Sequence, residues 1–354
     1  MSGLPAPLLL LVFLASGAVI WLAGVRLSGT TDVIAERLHL GDALGGLILL
    51  AVATNLPEIA ITASAALSGS TDVAVGNILG GIAVQTVVLV ALDAFGVRER
   101  RPLTYQAASL VLVLEGVVVV VVLALVVAGS QLPDSVSLGP VDPAAAVIAV
   151  VWVLGLLLVG RAGKSLPWQD SGNPPDTQAH PRGHAQKVSE ARATRRGTST
   201  RRAALVFGVA ALATLVAGVT LESSGQAFFG GLGMSGLVFG ATVLAAATSL
   251  PELSTGLTST RRGDYQQAVS DIFGGNAFLP VLFLLAALLS GRPVLPSAGR
   301  ADVYLTALGA VLTLVYVAGL LFRPARDRLR MGPDSIVVLV VYVIGVVGLT
   351  TLTG

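Results

Sequence analysis

Runs of about 20 apolar residues recur along the whole length of this 354-residue chain. A helix of that length crosses the roughly 30 Å hydrocarbon core of a bilayer. Inside that core only helices and closed barrels satisfy their backbone hydrogen bonds. Charged residues make up 12% of the sequence, whereas about a quarter of a soluble domain is charged. The sequence therefore predicts an all-α integral membrane protein without a separate soluble domain of useful size.

We predict ten transmembrane helices, joined mostly by short connections. One segment, 162–202, is long, basic and rich in Gly, Ser, Pro and Thr, which is typical of a mobile linker. It separates two five-span halves, 1–161 and 203–354. The predicted spans are 6–27, 43–67, 73–96, 105–129, 143–161, 203–221, 233–259, 267–290, 301–322 and 334–353.

The basic residues predict the orientation of the chain in the cell membrane. In the ten-span arrangement, 20 of the 22 Lys and Arg residues fall on one side, and only Arg292 and Arg300 fall on the other. Because basic loops stay in the cytoplasm, we expect a multi-pass protein with a cytoplasmic 162–202 linker and both termini outside. This distribution accounts for the net charge of +2 without a nucleic-acid partner.

The two halves contain related segments. Residues 46–83 align with residues 240–277 without a gap, and 15 of the 38 positions are identical. Each copy carries a proline and a glutamate inside an apolar run, at Ala53–Glu58 and at Ala247–Glu252. Because each half has an odd number of spans, the second copy enters the membrane from the opposite side. The pattern predicts an inverted-topology repeat with a substrate site near the midplane.

Each motif offers oxygen atoms within the membrane. Pro57 and Pro251 have no amide hydrogen, so the carbonyl group four residues earlier loses its helical partner. That carbonyl must find a donor or a cation. Thr54 and Thr248 lie four residues before the glutamates, so each hydroxyl shares a helix face with a carboxylate. Carboxylate, hydroxyl and carbonyl oxygens are the ligands that Ca²⁺ and Na⁺ prefer.

The buried acids carry the functional signal. A membrane proline, a glycine pair or a single Thr is often only structural, but an ionised Glu at the bilayer centre costs at least ~2.5–3.5 kcal/mol. Glu58 and Glu252 therefore predict a cation site, to which Asn77 and Asp271 on the following helices add oxygens. Glu115, deep in the fourth predicted span, should face protein or a wet cavity. A proton site, a polar partner and a packing role all stay open for it.

The paired motifs resemble the two alpha repeats of the sodium/calcium exchangers and the wider calcium:cation antiporter superfamily. The usual form there is Gly-Thr-Ser-Leu-Pro-Glu, followed by Gly-Asn-x-x-Gly-Ser. The resemblance is close in the repeats, near 43–96 and 233–290, and more general in the ten-helix plan. It implies a bacterial-type ten-helix member in which Glu58 and Glu252 coordinate Ca²⁺ and Na⁺. It also implies ligands from Thr54, Thr248 and Ser249, and from the backbone carbonyls near Ala51 and Ala245.

The sequence departs from the usual form of the repeats at several positions. These are Gly81, Gly275 and Asn55, where serine is usual, Asp271, where asparagine is usual, and Gln85 and Leu279, where Asn or Asp is common. The two glycines remove a hydroxyl from each repeat, and the leucine removes an oxygen that the glutamine keeps as an amide. Because the aspartate adds a charge, the ion pair and its stoichiometry stay open.

These residues predict a secondary active antiporter that exchanges Ca²⁺ for Na⁺ or H⁺ by alternating access. The cations are its substrates, and we expect no cofactor. The alternatives are a sodium/proton or other monovalent or divalent cation exchanger on the same fold and, with less support, a cation channel. An enzyme is disfavoured, because the chain has no cysteine and its three histidines lie outside the predicted spans. The pattern does not indicate an oligomeric state.

Overall fold

Helices account for most of the residues in the computed structural model. The model describes six stretches of the chain: residues 4–37, 55–98, 101–137, 139–163, 199–326 and 330–353. The helices of the first half are α1 (Ala6–Arg37), α2 (Leu56–Ser68), α3 (Thr71–Phe95), α4 (Leu103–Ala107), α5 (Leu110–Ser130) and α6 (Pro143–Ala162). Those of the second half are α7 (Thr200–Gly231), α8 (Gly236–Phe239), α9 (Ala245–Thr248), α10 (Leu250–Arg261), α11 (Tyr265–Phe278), α12 (Leu282–Ser290), α13 (Arg300–Phe322) and α14 (Pro333–Thr353).

Eight helices in the described stretches are long and apolar enough to cross a membrane, or nine if one bent pair counts as a span. The bent pair joins Gly236–Thr248 to Leu250–Arg261 at an angle of 41°. The span predicted over 43–67 is represented by the shorter apolar helix α2, because residues 38–54 lie outside the described part. The helical membrane architecture is confirmed, and the count of ten stays a prediction. Most of the predicted linker, 162–202, is likewise not described.

Some helices do not begin or end where the predicted spans do. The first predicted span ended at residue 27 and the sixth at residue 221, but α1 continues to Arg37 and α7 to Gly231. Hydropathy marks the apolar part of a helix, and these two helices continue through polar residues. The fourth span was predicted from residue 105, yet α5 begins at Leu110 because the backbone is extended at Ser109, whose side chain caps the helix.

The first three long helices of each half begin at positions that are 194 residues apart. α1 and α7 are both 32 residues long, and they begin at Ala6 and Thr200. α2 and α10 begin at equivalent positions, and so do α3 and α11. The turns after α2 and α10 use Gly69 and Gly263, which have positive φ values of 79° and 80°. The repeat in the sequence is therefore accompanied by a repeat in local structure that extends to the first helix of each half.

Burial separates a central group of helices from a peripheral one. In α3, 78% of the most apolar window is buried, compared with 28% in α1 and α7 and 22% in α14. α1 and α7 pack against each other in opposite directions, since Gly17 lies against Leu221 and Phe13 against Gly225. Their outer faces expose large apolar side chains such as Leu22 (67%) and are suited to lipid.

Glycines allow α3 to cross the α8–α9 segment at backbone contact. A Cβ at Gly76 would lie 2.6 Å from the carbonyl oxygen of Leu237, and a Cβ at Gly80 would overlap the backbone of Ala241. On the other side, a Cβ at Gly240 would lie 2.7 Å from the carbonyl oxygen of Val73. Any side chain larger than hydrogen would separate the two elements here.

Asp93 joins the end of α3 to two distant segments. The buried carboxylate accepts hydrogen bonds from the backbone N–H of Leu103 (2.7 Å), the backbone N–H of Gly332 (2.7 Å) and the Ser335 hydroxyl (2.7 Å). These contacts fix the starts of α4 and α14 against the central helix. The role of this buried acid is therefore structural.

We expect Asp93→Asn to destabilise the protein by about 1.5–3 kcal/mol, because an amide nitrogen cannot accept a hydrogen bond from a backbone N–H. Thermal unfolding of the purified protein in detergent measures the change. Asp72→Asn is the matched control on the same helix, since Asp72 is exposed and its effect should stay below about 1 kcal/mol. Equal melting temperatures for the wild type and Asp93→Asn would contradict the anchoring role.

Candidate cation site

Each proline motif lies at the start of a helix. Asn55 (φ −94°, ψ 19°) precedes α2, and Ser249 (φ −79°, ψ 1°) separates α9 from α10. The prolines stand in the first turn of the new helix, where a missing N–H leaves no intrahelical bond unmade. The proline-linked break is confirmed in the second copy, whereas the chain immediately before Asn55 lies outside the described residues.

The two glutamates occupy equivalent positions in the first turns of α2 and α10. Both side chains are buried, with exposed fractions of 0% for Glu58 and 4% for Glu252. The first turn of a helix carries partial positive charge from its free N–H groups, which favours an anion. The Glu252 carboxylate is close enough to the carboxylates of Glu58 and Asp271 to be repelled by both. The fold therefore gathers negative charge in a buried place where charge is costly.

The carboxylate oxygens lack hydrogen-bond donors in the described part of the protein. No donor there reaches hydrogen-bond geometry with either oxygen of Glu58 or of Glu252, although the Thr248 hydroxyl lies beside Glu58. The fully buried amides of Asn77 and Gln85 have no hydrogen-bond partner among these residues either. Buried polar groups in proteins are normally hydrogen-bonded. Buried carboxylate oxygens without donors suit a cation as the missing partner.

Three of the ligands implied by the family resemblance form a local cluster. The Ala245 carbonyl accepts hydrogen bonds from the Ser249 N–H (3.0 Å), the Ser249 hydroxyl (2.8 Å) and the Thr248 hydroxyl (3.2 Å). A hydroxyl that donates keeps its lone pairs, so both side-chain oxygens can still face a cation, whereas the carbonyl would bind a cation in exchange for some of these hydrogen bonds. The other two implied ligands, Ala51 and Thr54, lie outside the described residues.

Amide groups from the first half lie against the glycine pair of the second half. A Cβ at Gly275 would lie 3.2 Å from Gln85 Oε1 and 3.6 Å from Asn55 Nδ2. At the equivalent position in the first half, a Cβ at Gly81 would lie 3.2 Å from a methyl group of Leu279. Where the serines are missing, the neighbouring side chains are therefore polar at Gly275 and apolar at Gly81.

Asp271 and Glu115 each accept a hydrogen bond from a hydroxyl group of the second half. The Thr255 hydroxyl donates to Asp271 Oδ2 (3.3 Å), which joins α10 to α11. Next to it on α11, the Ser270 hydroxyl donates to Glu115 Oε1 (2.9 Å). Glu115 is 9% exposed and faces protein, as expected for an acid inside a span.

Asn276 and Glu222 were missed in the sequence. Asn276 is fully buried and donates from Nδ2 to Thr86 Oγ1 (3.1 Å), while its Oδ1 has no partner among the described residues. Its place directly after the double glycine was a usable signal. Glu222 is 2% exposed on α7. It was missed because the predicted sixth span ended one residue before it, although a lone acid in a long apolar helix is itself a signal.

An interrupted helix with buried carboxylates, in a bundle of apolar spans, defines a membrane transporter of the exchanger type. Residues 8–161 and 202–351 match the profile of the sodium/calcium exchanger protein family, and the chain belongs to that family. It is an integral membrane protein, and its family consists of exchangers, which move ions across membranes and do not catalyse reactions.

Relatives extend over most of the chain. Inner membrane protein YrbG of Escherichia coli (strain K12) is 26% identical over 277 residues, which are 78% of this chain and 76% of that protein. The putative antiporter CaxA of Alkalimonas amylolytica is 28% identical over 309 residues, which are 86% of this chain and 88% of that protein. The human sodium/potassium/calcium exchanger 1 is 40% identical, but only over 70 residues, 18% of this chain and 6% of that protein.

Solved structures share the fold. The crystal structure of the H⁺/Ca²⁺ exchanger CAX superimposes with a TM-score of 0.69 at 15% identity and covers 96% of this chain and 82% of that chain. A structure of the sodium-calcium exchanger NCX_Mj superimposes with a TM-score of 0.57 at 15% identity and covers 97% and 99%. At these identities the likeness concerns the fold alone.

Proposed function

We propose that the protein is a secondary active antiporter that exchanges Ca²⁺ for Na⁺ or H⁺ at one central site. The observation that carries this proposal is the pair Glu58 and Glu252, buried in two equivalent helix starts and without donors among the described residues. A single Ca²⁺ balances their two charges, and so do two protons or two sodium ions. Six or more oxygens are usual for Ca²⁺.

Charge compensation couples the two fluxes in this mechanism. Each uncompensated carboxylate within the bilayer costs about 2.5–3.5 kcal/mol, so the empty site changes its accessible side only slowly. A site filled by Ca²⁺, or by the counter-ion, has no such penalty and moves. Exchange follows, because the site returns only when another cation has replaced the first.

We assign the remaining ligands from both halves. Glu58 and Glu252 supply the charge, and Asp271 adds a third carboxylate that modulates it. Oxygens come from the hydroxyls and amides near the carboxylates and from the carbonyls before the helix breaks. These are Thr54, Thr248, Ser249, Asn55, Asn77, Gln85, Ala51 and Ala245.

The proposed architecture has ten spans in two five-helix inverted repeats, 1–161 and 203–354, joined by a cytoplasmic linker. The 194-residue offset between the starts of α1 and α7, of α2 and α10, and of α3 and α11 supports the repeat. The distribution of Lys and Arg supports the orientation, with both termini outside. In an inverted repeat, the site lies where the two copies meet, and residues of both copies surround the glutamates.

The moving part in this proposal is the pair α1 and α7. Each packs on the motif of the opposite half through a glycine. A Cβ at Gly24 would lie 2.7 Å from Pro251 Cβ, and a Cβ at Gly218 would lie 2.9 Å from Ala60 Cβ. The two glycines are themselves 194 residues apart. A smooth contact at both helix breaks lets the pair slide past the site and expose it to one side at a time.

Protons are the counter-ion that one observation favours. Leu279 places a methyl group against Gly81 where the resemblance implies oxygens, which leaves fewer ligands for several sodium ions. A proton needs only a carboxylate oxygen. Exchange of Ca²⁺ for H⁺ is therefore the second form of the proposed function.

Proteoliposomes that contain the purified protein test the proposal. We expect ⁴⁵Ca²⁺ uptake when an outward Na⁺ gradient or an outward H⁺ gradient is imposed, and little uptake without a gradient. Uptake driven by the pH gradient in sodium-free buffer assigns the proton, whereas uptake only with Na⁺ assigns sodium. Single-channel currents in planar bilayers would indicate a channel instead, and the absence of uptake with both gradients would refute the antiporter.

A further inference from the structure

We propose that Glu222 forms a second cation site, for a monovalent cation, in the seam between α2 and α7. Its effect on exchange rests on the proposed function, but its binding of a cation does not. Glu222 is 2% exposed on α7 and lies outside the central pair of glutamates. Nothing in the central site requires a carboxylate at this position, so it needs a role of its own.

Two hydroxyls hold the Glu222 side chain. The Ser64 hydroxyl of α2 donates to Glu222 Oε2 at 3.0 Å, and the Ser223 hydroxyl donates to the same atom at 3.1 Å. Oε1 is not used by either hydroxyl. Each hydroxyl can instead offer a lone pair to a cation bound at the carboxylate. The group therefore supplies one negative charge and at least three oxygens.

The seam leads from this group to the central site. Thr214, Gly218, Glu222 and Gln226 follow at intervals of four residues and so lie on one face of α7. On that face Gly218 contacts the start of α2, Glu222 bonds Ser64, and Gln226 Nε2 donates to the Ser70 hydroxyl (3.2 Å). Glu222 lies one helical turn beyond Gly218, which is about 6 Å along the axis of α7.

The hydroxyl of Thr214 is an unpaired polar group on the same face. It is fully buried, and Oγ1 has no hydrogen-bond partner in the described part of the chain. It lies four residues before Gly218, whereas Glu222 lies four residues after it, so the two polar groups are on opposite sides of the contact with the start of α2. Polar side chains of α7 therefore lie on both sides of its contact with the start of α2. A path for cations beside the central site requires such polar groups.

No charged group compensates Glu222 within the described residues. The groups that act on its carboxylate there are the Ser64 and Ser223 hydroxyls. At this level the neighbouring helix α1 presents Phe13 and Gly17 to α7, and α8 presents Phe239. A buried carboxylate without a basic partner takes up a cation or a proton.

The other charged groups of the packed helices lie at other levels. The charged residue of α2 is Glu58, in the first turn of that helix. On α1, Arg26 is exposed and adjoins Leu27, which clusters with Ala210 of α7. Ala210 precedes Glu222 by twelve residues, or about three turns. Arg26 is therefore too distant to form an ion pair with Glu222.

A single carboxylate with hydroxyl neighbours selects a monovalent ligand. Ca²⁺ takes six to eight oxygens and is usually bound by more than one carboxylate, whereas one carboxylate balances one Na⁺ or one H⁺. Both cations neutralise the carboxylate, but they differ in the oxygen ligands that they need, since a proton needs only the carboxylate. The site is also absent from the repeat, because the positions equivalent to Glu222 and Ser64 are Ser28 and Thr258.

This placement ties monovalent binding to the movement of α7. The Ser64–Glu222 hydrogen bond joins the proposed moving helix to the first motif helix. When α7 slides along α2, the serine hydroxyl leaves the carboxylate and the oxygens around the cation change. Binding at Glu222 then favours one position of α7 over the other.

Two binding measurements on the purified full-length protein separate sodium from protons. For sodium, we expect ²²Na⁺ binding at fixed pH to lose about one ion per protein in Glu222→Gln, and to weaken about tenfold in Ser64→Ala, which removes one bond to a charged group. For protons, we expect the infrared absorption of protonated carboxyl groups at low pH to lose the contribution of one group in Glu222→Gln, and that contribution to shift in Ser64→Ala.

Control variants keep the test decisive. Thr258→Ala, at the position equivalent to Ser64, should leave both signals unchanged, because the Thr258 hydroxyl donates to the Ser254 carbonyl of its own helix. Glu222→Asp retains the charge and tests the site if the glutamine variant does not fold. Wild-type ²²Na⁺ binding and carboxyl bands in both Glu222→Gln and Ser64→Ala would overturn the proposal. Neither measurement needs transport. A protein that carries no Ca²⁺ in liposomes would therefore refute the antiporter, whereas the binding measurements would still decide whether Glu222 binds a cation.

Discussion

Glu58→Gln and Glu252→Gln should each lower the affinity for Ca²⁺ by about 100-fold or more and abolish exchange. Glutamine retains the shape of the side chain and removes one of the two charges that a divalent ion needs. A charge buried in the bilayer is worth about 2.5–3.5 kcal/mol, and 1.4 kcal/mol corresponds to a factor of ten in affinity. Calorimetric titration of the purified protein with Ca²⁺ measures the affinity, and ⁴⁵Ca²⁺ uptake into proteoliposomes measures exchange.

Asp142→Asn is the matched control for both substitutions. Asp142 is also a buried acid (1% exposed), but it caps α6 by accepting a hydrogen bond from the Ala145 N–H at 2.7 Å. Asn is as good a cap as Asp, so this variant should bind Ca²⁺ like the wild type. Unchanged Ca²⁺ affinity in both glutamine variants would remove the central site. A loss in only one of them would indicate a site built on a single carboxylate.

Those two acids could be predicted from the sequence because their signal is local. A carboxylate and a proline within an apolar run are improbable for a plain membrane helix, and their repetition at a fixed offset links the two halves. The spans were predictable for the same reason, since about 20 apolar residues match the thickness of the bilayer. Where polar residues continue a helix, as at the end of α7, this rule does not locate its end.

The partners of the buried polar groups could not be predicted, because they depend on contacts between distant segments. Ser64 and Glu222 are 158 residues apart, and Asn276 and Thr86 are 190 apart. No periodicity in the sequence brings such pairs together, and only helix packing does. The engagement of the Ala245 carbonyl by two neighbouring hydroxyls also depends on the local backbone at the break.

The departures from the usual repeat form have an unequal effect on the two halves of the site. At Gly275 the space left by the missing serine adjoins the amides of Gln85 and Asn55. At Gly81 the equivalent space adjoins Leu279. Oxygens are thus retained on one side only, and the negative charge of Asp271 lies on the second half. An uneven site of this kind agrees with a counter-ion that needs few ligands, such as a proton.

Gly24→Val and Gly218→Val should slow exchange about ten- to hundredfold while Ca²⁺ still binds. A Cβ at Gly24 would lie 2.7 Å from Pro251 Cβ, and a Cβ at Gly218 would lie 3.3 Å from the Pro57 carbonyl oxygen. Overpacking of a tight contact costs about 1–3 kcal/mol, and 1.36 kcal/mol in a barrier is a factor of ten in rate. In a sliding mechanism the larger side chain meets the helix break in each cycle, so the barrier rises.

Initial rates of ⁴⁵Ca²⁺ uptake, compared with equilibrium ⁴⁵Ca²⁺ binding to the same preparations, separate movement from binding. Gly208→Val is the control on α7, because a Cβ there would meet no described atom within 4 Å, and its rate should equal that of the wild type. Alanine at Gly24 and Gly218 should give intermediate rates, since it adds only the Cβ. Wild-type rates in both valine variants would show that α1 and α7 do not slide across the motifs. Loss of Ca²⁺ binding together with transport would instead mean that these glycines shape the site, and the moving part would have to be sought elsewhere in the bundle.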